Sequence, residues 1–265
     1  MNRPVIDRRT FLATSGSILA AWSCSNATAP RTGAIDELVA RPHPPTRELP
    51  NGSHTLGLGV SELPGILPAR DGILYLPITH VPAKPIPLLV LLHGAGGSAS
   101  NWFGSYASRA DLHTFAMLAI DSRDYSWDVI VDDAFGADVR FIDKALAWTF
   151  DRVHIDPQRV ALVGFSDGAS YALSLGLSNG GLFSRVVAYS GCILAAENER
   201  GKPKVFVSHG IQDDVLPIAP CGRAIASKLL EEGYSVEYEE FTGGHGVPDA
   251  ISVSALNWLD TSWGG

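Results

Sequence analysis

Three residues in the second half of the chain have the types and the order needed for nucleophilic catalysis. Ser166 lies in GFSDG, residues 164–168, which has the pattern G-x-S-x-G, and Asp213 and His245 follow it along the chain. A serine hydroxyl is a weak nucleophile at neutral pH and needs an imidazole to accept its proton. The imidazole in turn needs a carboxylate to fix its tautomer. The pattern predicts Ser166 as nucleophile, His245 as base and Asp213 as orienting acid.

The serine turn alone leaves two interpretations open. Serine is a common helix N-cap and glycine tolerates tight turns, so VGFSDGAS could simply begin a helix. Alternatively, the two glycines let a strand turn sharply into a helix with the serine oxygen exposed at the bend, which is a nucleophile elbow. The surrounding elements must decide between the two.

Apolar runs of strand length alternate with helical patterns after residue 70. Strands are predicted at 73–76, 88–92, 115–120, 160–165, 186–189, 205–208 and 236–241, with a short one near 55–60; helices are predicted at 139–150, 169–177, 218–230 and 247–259. Several strands are too uniformly apolar to have a face in water. This predicts an α/β fold with a mostly parallel central sheet and helices on both faces.

Polar, glycine-rich loops follow four of these strands. They are HGAGG at 93–97, the serine turn at 166, HGIQDD at 209–214 and GGHG at 243–246. Parallel sheets bind ligands at the carboxyl ends of their strands, so all four loops are expected at one edge. The serine, acid and histidine therefore come from separate loops that the sheet brings together.

Attack on a carbonyl creates an oxyanion that needs preorganised donors. The residue after the nucleophile, Asp167, offers a backbone N–H. The loop after the 88–92 strand is expected to offer the other, from Ala95. The two amides are predicted to form an oxyanion hole.

Other residues compete for the acid and base roles. Asp214 is adjacent to Asp213 and could replace it. His93 and His209 also lie at strand ends, but each precedes a glycine and is interpreted as structural. His245 is preferred because it follows the last strand, where the base is required.

Trp102 and Trp127 follow loops that should reach the same edge. They are candidates to line an acyl or alcohol pocket, and core packing is an equally good interpretation. The aspartates between residues 121 and 133 lack the spacing of a calcium loop, so they are interpreted as a solvated loop.

Five segments carry a family resemblance: LLHGAGGSASNWF, DSRDYSWD, GFSDGASYALSLGL, SHGIQDDVLPI and GGHGVPDA. They resemble the small, lidless phospholipase/carboxylesterase branch of the α/β-hydrolase superfamily, which is related to polyhydroxyalkanoate depolymerases and feruloyl esterases. The resemblance covers residues 70–260. It implies ester hydrolysis through an acyl-enzyme, with Ser166, Asp213 and His245 as the triad and without a metal or a cofactor.

The predicted substrate is a small or a polymeric ester, because only 15 residues separate the 186–189 and 205–208 strands. That leaves no room for a large lid there. Two alternatives remain open: a peptidase or amidase with the same triad, and a non-catalytic envelope protein that uses the fold for binding.

Composition indicates a globular chain rather than a disordered one. Of 265 residues, 46% are hydrophobic and 18% are charged, and the formal net charge is −8. Without a compensating basic patch, nucleic acid is not an expected partner.

The first 29 residues read as an export signal. Arg8 and Arg9 precede a mildly apolar run at 11–22, which is too short to span a membrane as a mature helix. The paired arginines resemble a bacterial twin-arginine signal, so a periplasmic or secreted protein is predicted. Cys24 lies in a loose match to a lipoprotein cleavage box, which leaves a lipid anchor as a minor alternative.

The remaining chain divides in two. Residues 30–68 are rich in proline and glycine and are predicted to be a spacer or an irregular edge, and 69–265 are predicted to be the catalytic domain. Once the signal is removed, Cys192 and Cys221 remain, either bonded in an oxidising compartment or as buried free thiols.

Overall fold

The computed structural model describes residues 36–59, 70–196 and 198–264. Within these ranges the chain forms an eight-stranded sheet with the order β1-β2-β4-β3-β5-β6-β7-β8. The strands are β1 (Gly52–Thr55), β2 (Gly72–Leu76), β3 (Ile86–Leu92), β4 (Ala116–Ile120), β5 (Ile155–Phe165), β6 (Arg185–Tyr189), β7 (Lys204–Gly210) and β8 (Val236–Phe241). β3 to β8 are mutually parallel, and β1 and β2 extend the sheet antiparallel at one edge.

Helices cover both faces of the sheet. They are α1 (Phe103–His113), α2 (Asp128–Val131), α3 (Ala137–Phe150), α4 (Asp167–Ser178), α5 (Ala224–Glu231) and α6 (Asp249–Ser262). Alternate residues of β3 point to opposite layers: Leu88 and Val90 join the core under α3, α4 and α5, whereas Leu89 and Leu91 join the core under α1 and α6. Burial on both faces explains the uniformly apolar strands. The predicted fold class is confirmed.

The strand β1 and the helices α1 and α2 differ from the sequence prediction, which expected a loop at α2. The short strand expected near 55–60 is wrong in position, since β1 ends at Thr55. The backbone N–H groups of Gly57 and Gly59 instead donate to the Asp71 carboxylate at 2.7 and 3.0 Å, so they are not available to a strand ladder; residue 60 lies outside the described residues. Helix α1 was not predicted, because mainly Tyr106 and Ala110 form its buried stripe.

The segment before β2 packs onto the sheet. Leu38 is fully buried in the core. Its N–H donates to Asn179 Oδ1 at 2.8 Å, and Asn179 Nδ2 donates to the Asp36 carbonyl at 2.7 Å. The described part of the predicted spacer or edge therefore packs on the core, and its strand β1 lies at the edge of the sheet. The predicted export signal, with Cys24, lies outside the described residues, and no helix within them is long and apolar enough to cross a membrane.

Hydrogen bonds and a disulfide hold the connection that follows β6. Ser170 Oγ accepts the Cys192 N–H at 3.0 Å, and Ser174 Oγ accepts the Ala195 N–H at 2.9 Å. A disulfide joins Cys192 to Cys221, which lies in the π-helical turn before α5. These bonds hold the connection against the helix.

Candidate active site

Ser166 stands at a sharp turn between β5 and α4. Its backbone has φ +57° and ψ −119°, an uncommon conformation for a residue with a side chain. A Cβ on Gly164 would lie 2.0 Å from the Gly168 carbonyl oxygen, and one on Gly168 would lie 2.2 Å from the Leu92 oxygen. The two glycines therefore allow the close backbone approach at this turn, as the elbow interpretation requires.

The three predicted residues meet at this turn. Ser166 Oγ lies 2.8 Å from His245 Nε2, and His245 Nδ1 lies 2.7 Å from Asp213 Oδ2. The carboxylate can only accept, so Nδ1 carries the proton and Nε2 is free to accept the serine proton. The arrangement matches the hydrogen-bond chain that activates a serine nucleophile.

Asp213 is held by its own loop. Its side chain is fully buried, and Oδ1 accepts the N–H groups of Val215 and Leu216 at 3.0 and 2.8 Å. Oδ2 faces His245 and also lies 3.2 Å from the buried His209 Nε2. The neighbouring Asp214 is exposed, so Asp213 is the one of the pair whose carboxylate meets His245.

The acid and base loops are joined by backbone hydrogen bonds. Ile211 N–H donates to the Phe241 carbonyl at 2.9 Å, and Gln212 N–H donates to the Gly243 carbonyl at 3.0 Å. A Cβ on Gly210 would lie 2.5 Å from the Gly243 oxygen, so glycine is required for this approach. The β7–β8 pairing thus sets the distance between the carboxylate and the imidazole.

The predicted oxyanion-hole segments lie beside the serine. Asp167 is the first residue of α4, where helix N–H groups have no intrahelical acceptor. A Cβ on Gly94 would lie 3.2 Å from Ser166 Cβ, which places the loop that carries Ala95 against the nucleophile. The donor roles of Ala95 and Asp167 stay predictions.

The loop after β4 forms hydrogen bonds with both of these segments. These contacts were not predicted from the sequence. Tyr125 accepts the Gly96 N–H through its backbone carbonyl at 2.7 Å, and Ser126 Oγ donates to Asp167 Oδ2 at 2.5 Å. The sequence carries no signal for this bracing, because it depends on where two distant loops meet.

Trp127 and Trp102 pack into the core, which favours the second of their two interpretations over substrate binding. Trp127 is 0% exposed, stacks on Tyr171 at a centroid distance of 5.0 Å and donates Nε1–H to the His93 carbonyl at 2.8 Å. Trp102 is 7% exposed and packs edge-on against Tyr106. Trp127 supports the loop at His93 through this hydrogen bond, and Trp102 is part of the core that includes Tyr106 and Ala110.

His93 is structural, as interpreted from the sequence. Nδ1–H donates to the Gly94 carbonyl at 2.7 Å, which leaves Nε2 to accept the Ser122 N–H at 3.0 Å. Burial lowers the pKa of His93, and the charge of Arg70 acts in the same direction. A neutral His93 therefore fastens the predicted oxyanion loop to the loop after β4.

The aspartates after β4 are not simply a solvated loop. Asp128 is buried, and its Oδ2 accepts the N–H groups of Gly136 and Asp138 at 2.8 Å, while Asp138 Oδ2 accepts the Asp128 N–H at 2.7 Å. Burial, and then the charge of Asp128, raise the pKa of Asp138 to about 7. No group of three or more His, Cys, Asp or Glu in the described ranges is placed to hold a metal ion.

A mostly parallel sheet with a serine elbow after one strand, and with acid and histidine loops after later strands, is the architecture of the α/β-hydrolase class. The chain belongs to the Alpha/beta hydrolase family, whose sequence profile matches residues 89–260. The family resemblance noted in the sequence is therefore confirmed.

Proteins with similar sequences include a feruloyl esterase and an acyl-protein thioesterase. Feruloyl esterase B of Thermothelomyces thermophilus is 32% identical over 139 residues, and the match covers 48% of this chain and 48% of that protein, so it spans about half of each. Acyl-protein thioesterase 1 of Saccharomyces cerevisiae is 24% identical over 202 residues, covering 62% of this chain and 87% of that protein.

Solved structures agree on the fold. The crystal structure of esterase PE8 has a TM-score of 0.62 with 22% identity, and the match covers 72% of this chain and 98% of that one. Together with the family match, the structural likeness shows the α/β-hydrolase fold.

Proposed function

We propose that this protein is a serine hydrolase that cleaves carboxylic esters through an acyl-enzyme intermediate. The observation that carries the proposal is the continuous hydrogen-bond chain from Asp213 through His245 to Ser166, with distances of 2.7 and 2.8 Å. The names of the relatives, a feruloyl esterase and acyl-protein thioesterases, support hydrolysis of an acyl ester or thioester.

Ser166 Oγ attacks the ester carbonyl carbon while His245 Nε2 takes its proton. A C–O bond forms, and the carbonyl electron pair moves onto oxygen. As the intermediate collapses, the imidazolium returns the proton to the leaving alcohol. Water then repeats the sequence on the acyl-enzyme and releases the acid. Asp213, which accepts the Nδ1 proton, keeps His245 in the required tautomer throughout.

The oxyanion forms beside the amino end of α4. The N–H of Asp167 and that of Ala95 are the proposed donors, and loss of one such donor typically costs about 100- to 1,000-fold in turnover. The brace from Ser126 to the Asp167 carboxylate steadies the first residue of this helix.

The proposed substrate is a small or polymeric ester with apolar groups near the scissile bond. Tyr125 is 69% exposed, and a Cβ on Gly96 would lie 2.8 Å from its ring, so the phenol lies on the predicted oxyanion loop. Ile211 and Val215, on either side of the acid, are also exposed. This apolar rim offers contact area to an acyl chain or an alcohol group.

We also propose that the protein works outside the cytosol. The N-terminal arginine pair followed by an apolar run supports export. The Cys192–Cys221 disulfide is consistent with an oxidising compartment.

The proposal is tested by hydrolysis of p-nitrophenyl acetate, butyrate, octanoate and palmitate, with a p-nitroanilide of the same acyl group alongside. Ser166→Ala and His245→Ala are expected to lose turnover while keeping the wild-type circular dichroism spectrum. Ser227→Ala, an exposed serine on α5, is the matched control and is expected to keep full activity.

Each other result has a defined meaning. Substantial ester turnover in Ser166→Ala contradicts the mechanism. Faster cleavage of the anilide than of the ester favours a peptidase or amidase. Failure of a serine-reactive phosphonate to label the wild type favours a binding protein.

A further inference from the structure

His209 is a fully buried histidine beside the proposed triad, and the mechanism above gives it no role. It lies near the end of β7, and its Nε2 is 2.7 Å from the Leu216 carbonyl oxygen and 3.2 Å from Asp213 Oδ2. Its Nδ1 has no hydrogen-bond partner among the described residues. The ring packs on Gly222, where a Cβ would lie 2.8 Å from Nδ1.

These contacts define the tautomer of His209. A carbonyl oxygen and a carboxylate oxygen both only accept, so the proton belongs on Nε2, which donates to the Leu216 carbonyl and lies 3.2 Å from Asp213 Oδ2. A proton on Nδ1 would be a buried donor without an acceptor, which costs more than an unused lone pair. Asp213 Oδ2 therefore accepts the His245 Nδ1–H and also has the protonated Nε2 of His209 beside it at 3.2 Å.

We propose that His209 is a positioning residue that holds Asp213 Oδ2 in line with His245 and balances part of the carboxylate charge. This inference rests on the proposed function, since it gives His209 a role only through the acid and base of the triad. The two backbone N–H groups hold Oδ1, and the electrostatic contact with His209 Nε2 acts on Oδ2.

Two other acids lie close to this pair, Glu240 in the sheet and Asp214 in the chain. β8 places Glu240 opposite His209 in the strand register, but Glu240 is exposed and bonded through both oxygens to Arg223 at 2.7 and 2.8 Å. The Arg223 hydrogen bond lowers the pKa of Glu240. Asp214 is exposed to solvent, whereas Asp213 Oδ2 lies 3.2 Å from His209 Nε2, so Asp213 is the acid that His209 is placed to position.

The test compares His209→Leu with His209→Gln. Leucine fills the space but donates no hydrogen bond, so kcat is expected to fall about tenfold with KM nearly unchanged, since the loss falls on the transition state. The less balanced carboxylate favours the imidazolium of His245, so the acid limb of the kcat/KM profile is expected to move to higher pH by about half a unit. Glutamine restores a donor near the Nε2 position and is expected to restore most of the turnover and the wild-type profile.

The control is His80→Leu, a buried histidine beyond β2 at the opposite edge of the sheet. It is expected to lower stability without moving the pH profile. All rates are normalised to active sites titrated with a serine-reactive phosphonate, so that loss of folded protein does not count as loss of turnover.

If the wild type hydrolyses esters while His209→Leu keeps the wild-type kcat and the same acid limb of the kcat/KM pH profile, that result overturns the role of His209 and leaves the proposed function unchanged. A wild type that neither cleaves esters nor reacts with the phosphonate overturns the proposed function instead. Nitrogen-15 NMR of the histidine-labelled wild type needs no variant to fold: a proton on Nε2 of His209 supports the proposal, and one on Nδ1 overturns it.

Discussion

Replacing both cysteines of the Cys192–Cys221 disulfide by serine is expected to destabilise the protein substantially. The bond joins residues 29 positions apart, and the loop it closes contains β7 and the proposed acid, Asp213. The chain-entropy relation for a loop of this length gives about 3–4 kcal/mol of lost unfolding free energy at 25 °C. For a domain of this size, that corresponds to a fall in Tm of roughly 7–14 °C.

The assay is urea unfolding followed by tryptophan fluorescence, with the oxidised wild type, the double serine variant and the wild type in reductant measured together. The last two are expected to share one curve, because each lacks the bond. Thiol titration of the unfolded, unreduced mature protein is expected to find neither cysteine free. If the unfolding free energies of the oxidised wild type and the double serine variant agree within about 1 kcal/mol, the reasoning is refuted, because the disulfide then does not stabilise the protein by closing the loop.

Three further changes test the scaffold of the site. Gly168→Ala places a Cβ 2.2 Å from the Leu92 oxygen and is expected to cut kcat/KM at least about 100-fold; an esterase assay with wild-type rates contradicts the elbow geometry. Because the pKa of Asp138 is raised to about 7, its contribution to stability is present at low pH and lost as pH rises. As the pH rises from 4 to 7, the unfolding free energy of the wild type is therefore expected to fall relative to that of Asp138→Asn by up to about 1.4 kcal/mol per pH unit. A difference between the two proteins that does not change with pH in urea unfolding contradicts this. Trp127→Phe removes the N–H donated to the His93 carbonyl and is expected to lower the unfolding free energy by about 1 kcal/mol and also to lower kcat. Unchanged urea unfolding and an unchanged kcat contradict the view that Trp127 supports the loop at His93.

Much of the fold was predictable because its signals are local. The uniformly apolar runs at β3, β5 and β7 indicate strands buried on both faces, and the glycines around Ser166 indicate the sharp turn. Strand order then places the four loops at one edge. Helix α1 escaped prediction because its buried stripe is narrow and most of its residues are polar or small.

The site was predictable in its residue types and less so in its contacts. Chain order does not distinguish Asp213 from Asp214, because the choice depends on which carboxylate meets backbone N–H groups and the imidazole. The direction of the Trp127 side chain and the approach of His209 to the acid depend on packing between distant segments. A pattern read along the chain contains no such distances.

The most direct test of the account is to trap the acyl-enzyme. The mature protein is quenched in acid during turnover of p-nitrophenyl butyrate, digested, and examined by peptide mass spectrometry. The proposed mechanism predicts one butyryl group on Ser166 in the wild type and none in Ser166→Ala, which is also expected to lose ester hydrolysis. Sustained hydrolysis with the acyl group on another residue, or undiminished turnover in Ser166→Ala, would contradict it.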